Sequence, residues 1–282
     1  MLEKNLFKIF WRLNKLKKKR LIAVLLLKDG NLVQAKNFKF YQNLGNPEQS
    51  VKRLSEWGSD ELIYLDISNN KHDLGRDDLK YKTNSNILNI IKGFSKLSFM
   101  PTTIGGKIKS LKDVEKRLLI GADKVSINSA ALKNPELINQ VAKEFGSQSL
   151  VISIDVKKIK NQYKIFYDSG QTQSNYSLAD WIKVICNNGA GELMINSIDR
   201  DGSQKGYDIN LLKLTTKLSK IPVIALGGVG KFSHFYEGFK KTNIDAAAAA
   251  NIFQHSDQSV FLAKQFLFKK NIKVRKPNLI SI

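Results

Sequence analysis

Asp155 closes an apolar run, Leu150-Val-Ile-Ser-Ile-Asp155, as a carboxylate at the mouth of a barrel strand would. A carboxylate so placed can act as general acid or base, or steady a developing positive charge. The chain repeats itself in halves, and the matching run near its N-terminus, Leu21 to Lys28, contains no acid. A reaction that needs an acid and a base on opposite sides of one pocket loses half its groups if leucine stands where the second acid belongs. Around this position lie two sets of residues suited to anions. Gly227-Gly228 and Ala250-Asn251 form one set, with Asp199-Arg-Asp201-Gly202-Ser203 as its rim; Gly105-Gly106 and Asn128-Ser129 form the other. Glycine backbone N–H groups and short helix N-termini cradle phosphate at such places.

The elements that must position these residues are short β-branched and aliphatic runs alternating with longer amphipathic stretches. Strands are expected at Leu21–Leu27, Glu61–Asp66, Thr102–Ile104, Lys124–Ile127, Leu150–Asp155, Glu192–Asn196, Val223–Leu226 and Ala246–Ala249. Helices are expected at Pro47–Glu56, Leu111–Leu119, Pro135–Glu144, Leu178–Asn188 and Ile209–Leu218. Eight β-then-α units with nearly continuous apolar strands predict a parallel (β/α)8 TIM barrel. Internal repeats support two fused half-barrels: Leu97-Ser-Phe-Met-Pro101 followed by Gly105-Gly106 resembles Leu218-Ser-Lys-Ile-Pro222 followed by Gly227-Gly228.

Composition narrows the classes. The 282 residues, 42% hydrophobic, suit one sizeable core, and no apolar run is long enough for a membrane span. A lone Cys186 excludes an internal disulfide, and His72, His234 and His255 lack ligand spacing, so a cytoplasmic chain with no metal and no cofactor is expected. The net charge of +21 would suit anionic partners, yet lysine is spread along the whole chain without the aromatic interleaving of a nucleic-acid module. Residues 1–19 read as a basic amphipathic extension and 20–282 as the barrel. In Met1 to Arg20, Leu2, Leu6, Ile9, Phe10, Leu13 and Leu16 recur at helical spacing among basic residues; this segment either docks on a membrane surface or partner, or packs on the barrel's lower rim.

The strings Lys28-Asp-Gly30, Asp60-Glu-Leu-Ile-Tyr-Leu-Asp-Ile-Ser68, Gly121-Ala-Asp-Lys-Val-Ser-Ile-Asn128, Glu144-Phe-Gly-Ser-Gln148, Ser197-Ile-Asp-Arg-Asp-Gly202 with Gly206-Tyr-Asp208, and Ile221-Pro-Val-Ile-Ala225 occur in order. With them the chain resembles the HisF family, the cyclase subunits of imidazole glycerol phosphate synthase in histidine biosynthesis. The resemblance implies a (β/α)8 barrel paired with a glutaminase of the HisH type. Ammonia from that partner would enter the barrel bottom, cross its centre and react with a bisphosphorylated substrate at the top. It implies that Asp155 is catalytic, and that Arg20, Glu61, Lys124 and Glu192 form the charged ring closing the ammonia entrance. Asp123 then matches an acid facing the glutaminase.

The same resemblance marks departures. The family's other catalytic aspartate falls on Leu26, a register fixed by Lys28-Asp29-Gly30. A third glycine after strand three is Lys107, which would enter the first cradle or grip an anion itself. Serines expected at Leu226 and Asn251 and a lysine expected at Gln34 are also replaced, while Asn128, Ser129, Asp201, Gly202, Gly227 and Gly228 remain. These features imply a divergent HisF-like subunit that takes ammonia from a glutaminase, with weak cyclase chemistry, in a pathway that aminates or amidinates a surface sugar. The alternatives are a working cyclase of histidine biosynthesis and a non-catalytic ligand-binding or scaffold barrel.

Overall fold

Eight strands rich in Val, Ile, Leu and Ala run parallel and close on themselves, each edge covered by its neighbour. A computed structural model describes residues 17–36, 38–68, 92–93 and 100–279. The barrel strands are β1 (Arg20–Lys28), β4 (Glu61–Asp66), β5 (Thr102–Gly105), β6 (Lys124–Ile127), β7 (Leu150–Ile159), β10 (Glu192–Ser197), β11 (Val223–Leu226) and β12 (Ala246–Ala249). Pairing of β10 with both β7 and β11, and of β1 with both β12 and β4, completes the circle. The fold is a (β/α)8 TIM barrel, as the alternating pattern predicts.

Helices α1 (Pro47–Glu56), α2 (Leu111–Leu119), α4 (Glu136–Phe145), α5 (Leu178–Asn187) and α6 (Ile209–Leu218) lie at or within one residue of the expected spans, with short α3 (Ser129–Lys133) preceding α4. Helices α7 (Phe232–Lys241) and α8 (Ser259–Lys269) complete the described set. Local chemistry sets their ends. Asn46 caps α1, Ser110 and Asp113 form a reciprocal capping box on α2, and Gly146 at φ +82° terminates α4. Outward strand faces and inward helix faces make one large apolar layer, including Leu21, Leu25, Leu62, Tyr64, Trp181 and Phe235. Inward strand residues Ile22, Val24, Ile63, Val151, Met194, Ile224, Ala246 and Ala248 fill the lumen as a second cluster. Each fully buried side chain of Val, Leu or Ile size contributes about 1.5–3 kcal/mol.

Two strands run past the barrel rim, which sequence reasoning did not anticipate. Beyond Leu26, β1 pairs antiparallel with β2 (Asn31–Lys36), which pairs with β3 (Phe40–Gly45); beyond Asp155, β7 pairs antiparallel with β8 (Gln162–Tyr167), and β8 with the two-residue β9 (Thr172–Gln173). The halves therefore correspond strand for strand, with β1 and its hairpin matching β7 and its own.

The barrel base carries a repeated device. Asp60 accepts the Leu21 N–H at 2.8 Å, Asp123 the Thr102 N–H at 2.7 Å and Asp245 the Val223 N–H at 3.0 Å. Each carboxylate takes a backbone N–H at the N-terminal end of the preceding barrel strand. Lys19 bridges Val274, and Lys17 sits 3.1 Å from Asp245, so the chain entering β1 lies on this base. The rest of the basic N-terminal segment, residues 1–16, falls outside the described residues, as does His72.

Candidate functional site

Strand register makes Asp155 and Leu26 equivalent. Asp155 lies beside Asn196 of β10 and Phe166 of β8; Leu26 lies beside Leu65 of β4 and Val33 of β2. Alternation along each strand turns both side chains into the mouth of the lumen, since Val24 and Val151 belong to the lumen cluster. Around Asp155 the neighbours are polar. The Asn128 amide donates to one carboxylate oxygen at 2.7 Å, and the Asn196 amide donates to the other at 3.0 Å. Around Leu26 the corresponding neighbours are Leu65 and Ala250, with Leu226 beside them, all packed on the lumen cluster. One half of the mouth holds an acid between two amides, and the other holds a leucine among apolar groups.

Asp155 is only 7% exposed. Burial pushes its carboxyl up to about 6, against the two asparagine hydrogen bonds, which favour the anion; Asp201 adds a smaller upward push. A carboxyl near that value exchanges its proton readily at neutral pH, as a general acid or base must. Because the folded value exceeds the unfolded one, the protonated form stabilises the fold. That contribution is complete below the unfolded value and is lost as pH rises through about 6. Relative to Asp155→Asn, the wild-type chain should therefore lose unfolding free energy between about pH 4 and pH 6. Urea titrations of both proteins across that range check this; parallel curves would mean that Asp155 titrates as an exposed acid does.

The second glycine set stands at the ends of β11 and β12. Gly227 and Gly228 have φ +98° and +96°, the left-handed region that favours glycine. The Gly228 carbonyl accepts the Gly206 N–H at 2.7 Å, and a Cβ on Gly228 would collide with the Gly206 carbonyl oxygen. Asn251 donates to the Ala35 carbonyl at 3.2 Å, fastening this loop to β2, and Ala250 closes the lumen beside it. An open cleft of about 610 Å³ adjoins them, lined by Gln34, Gly230, Lys231, Asn251 and His255 among others. Asp201 accepts the Phe38 N–H at 3.2 Å, and Gly202 turns at φ +64° against Ala35 and Lys36. At the first set, Ser129 accepts the Asp168 N–H at 2.9 Å, and Lys107 lies 3.6 Å from Asp66.

At the opposite end of the lumen Arg20, Glu61, Lys124 and Glu192 form a closed circuit. Arg20 pairs with Glu61 and, at 2.9 Å, with Glu192; Lys124 pairs with the same two acids at 3.2 and 3.4 Å. All four side chains are largely buried, between 8% and 19% exposed. Asp155 and this ring stand at opposite barrel ends, separated by the apolar lumen cluster.

Residues 20–259 match the model of a family described as histidine biosynthesis protein. The chain belongs to this family. Curated relatives include the imidazole glycerol phosphate synthase subunit HisF of Natranaerobius thermophilus, 39% identical over 257 residues, covering 91% of this chain and 98% of that protein. The HisF subunits of Hydrogenobaculum sp. (39%) and Bacillus cereus (37%) match over the same shares. This chain is thus a HisF-like barrel over nearly its whole length.

Within that HisF-like frame, sequence reasoning missed Asn196, an asparagine at a strand end that reads as a turn residue until register sets it against Asp155. One equivalence inferred from the repeats also shifts. Leu65 pairs with Gly105 where Asn196 pairs with Leu226, so Gly106 corresponds to Gly227 and Lys107 to Gly228. Asp123 is exposed, yet one of its oxygens is already committed to the Thr102 N–H.

Proposed function

We propose that this HisF-like chain is the ammonia-accepting subunit of a glutamine amidotransferase complex, with its own cyclase chemistry weakened, serving the amination or amidination of a surface sugar. The observation that carries the reading is a contrast between the two ends of one lumen. The four-membered ion ring at the base is complete, while the mouth has Asp155 on one side and Leu26, in an apolar setting, at the equivalent place on the other. In this reading the ring gates ammonia from a glutaminase seated on the base, and Asp123 faces that partner. Asp155 is the remaining proton-transfer group. Asn128, Ser129, Asp201, Gly202, Gly227, Gly228, Ala250 and Asn251, with Lys107, surround a phosphorylated ligand.

A working cyclase of histidine biosynthesis is the second reading. Asp155 between its two amides and the open cleft beside Gly228 favour it, as does the similarity to synthase subunits named HisF. Co-expression with the glutaminases of the source cell tests the first reading. A stable complex should form, and glutamine hydrolysis should be faster in it than in the glutaminase alone. Asp123→Asn keeps an oxygen for the Thr102 N–H but removes the charge, and should lower hydrolysis in the complex. If no glutaminase binds, the ring is a structural salt-bridge network and the channel reading fails.

A further inference from the structure

The two anion cradles are built on equivalent backbone but hold different charges. Lys107 corresponds by register to Gly228 and keeps the same left-handed turn, φ +54° against +96°. A non-glycine residue with positive φ is uncommon, so the loop geometry has been kept although glycine has not. The lysine side chain lies back on the mouth of β4, with its ammonium 3.6 Å from an Asp66 side chain that is 3% exposed. The loop is pinned on both sides. Arg117 donates to the Gly106 carbonyl at 2.9 Å, and a Cβ on Gly106 would collide with the Asp66 carbonyl oxygen. Ser129, the hydroxyl of this cradle, already accepts the Asp168 N–H, while Lys133 holds the Asp168 carboxylate at 2.8 Å. A phosphate entering here meets a buried carboxylate and a cation already neutralised by it.

The cleft beside Gly228 differs in each respect. It is open, holds about 610 Å³, and has Lys231 and His255 but no Asp or Glu among its lining residues. Gly230, in the same lining, leads into α7, and its N–H donates to His234 Nδ1 at 3.2 Å, while Lys231 at the start of that helix brings a cation and no acid to the cleft.

We propose that the acceptor of this barrel carries a single phosphate or comparable dianion, held at the β11–β12 end, and presents an uncharged group at the β5–β6 end. The inference rests on the reading of these loops as anion cradles, and makes the substrate class differ from a bisphosphate. Lys107 and Asp66 together then act as a specificity element, a fixed ion pair filling the place of the second phosphate.

Crystals of the full chain soaked in inorganic phosphate test the assignment. Density for one phosphate is expected at Gly228 and Asn251, and none at Lys107. Asp66→Asn frees the Lys107 ammonium while keeping an oxygen for the Ser68 N–H, which Asp66 accepts at 3.0 Å. That variant should gain a second phosphate at Lys107. Phosphate at Lys107 in the wild-type crystal, or none in the β11–β12 cleft, overturns the proposal. A folded Asp66→Asn chain without the second site overturns the part given to Asp66; should the variant not fold, the wild-type soak decides alone. None of these results depends on a glutaminase, so the channel reading stands or falls separately on complex formation.

Discussion

Supplied with ammonium and the bisphosphate substrate of HisF cyclases, the purified chain should turn over about 10²–10⁴-fold more slowly than a relative carrying both acids. Leu26 can neither move a proton nor stabilise positive charge, and Asp155 sits at the equivalent place across the mouth, engaged with Asn128 and Asn196. Restoring the acid with Leu26→Asp should recover little. The new carboxylate would enter a ring of Leu65, Leu226 and Ala250, where the positions matching Asn196 and Asn128 are apolar. Burial without partners favours the protonated form and costs the fold on the order of 1–3 kcal/mol. A triple change that also supplies Leu65→Asn and Ala250→Asn should do better than the single one, because these positions correspond to Asn196 and Asn128 beside Asp155. Steady-state rates equal to those of an ordinary cyclase would show that the missing acid is no obstacle.

Reversing one charge at the other end should have an effect of similar size on a different observable. Glu192→Arg leaves Arg20 and Lys124 each with Glu61 as the only acid of the ring and adds a third cation beside them. Breaking largely buried ion pairs in this way destabilises by about 3–5 kcal/mol, so the melting temperature should fall by several degrees. In complex with a glutaminase, ammonia released from glutamine should appear in solvent rather than in product. Glu192→Gln, which removes the charge without reversing it, should fall between the two. Unchanged coupling in Glu192→Arg would mean that ammonia does not pass the ring. Unchanged stability would mean that the four side chains are better solvated than their burial implies.

Much of the fold is legible in the sequence. Most of the barrel strands are short, nearly continuous apolar runs, the pattern expected of a strand buried on both faces, whereas Thr102–Gly105 and Lys124–Ile127 mix in polar residues. Asp155 was legible because an acid after such a run has few structural reasons to be there. The hairpins β2–β3 and β8–β9 were not, since they are extensions of barrel strands with one exposed face and carry a weaker alternating signal. Asn196 was missed for a different reason: its role depends on which residue of β7 lies beside it, and a single sequence does not contain register. The one-residue shift that matches Lys107 with Gly228 has the same origin. Repeats aligned on glycines follow residue identity, whereas the backbone aligned Gly106 with Gly227.

The base ring has one more property, which follows from its arithmetic of charge. Two cations and two anions alternate around the lumen, so the ring has neither net charge nor a large dipole; its leading moment is a quadrupole. The potential of such an arrangement dies away much more steeply than that of a single ion, and little of it reaches past the opening. Whatever the net charge of +21 elsewhere on the chain, in the proposed channel the ring itself therefore adds little long-range field at the opening. An approaching ammonium gains nothing from it and must shed its hydration to go further, whereas uncharged ammonia meets only donors and acceptors at close range. If the ring gates ammonia as proposed, selectivity for the neutral species needs no moving part in it and should hardly respond to ionic strength.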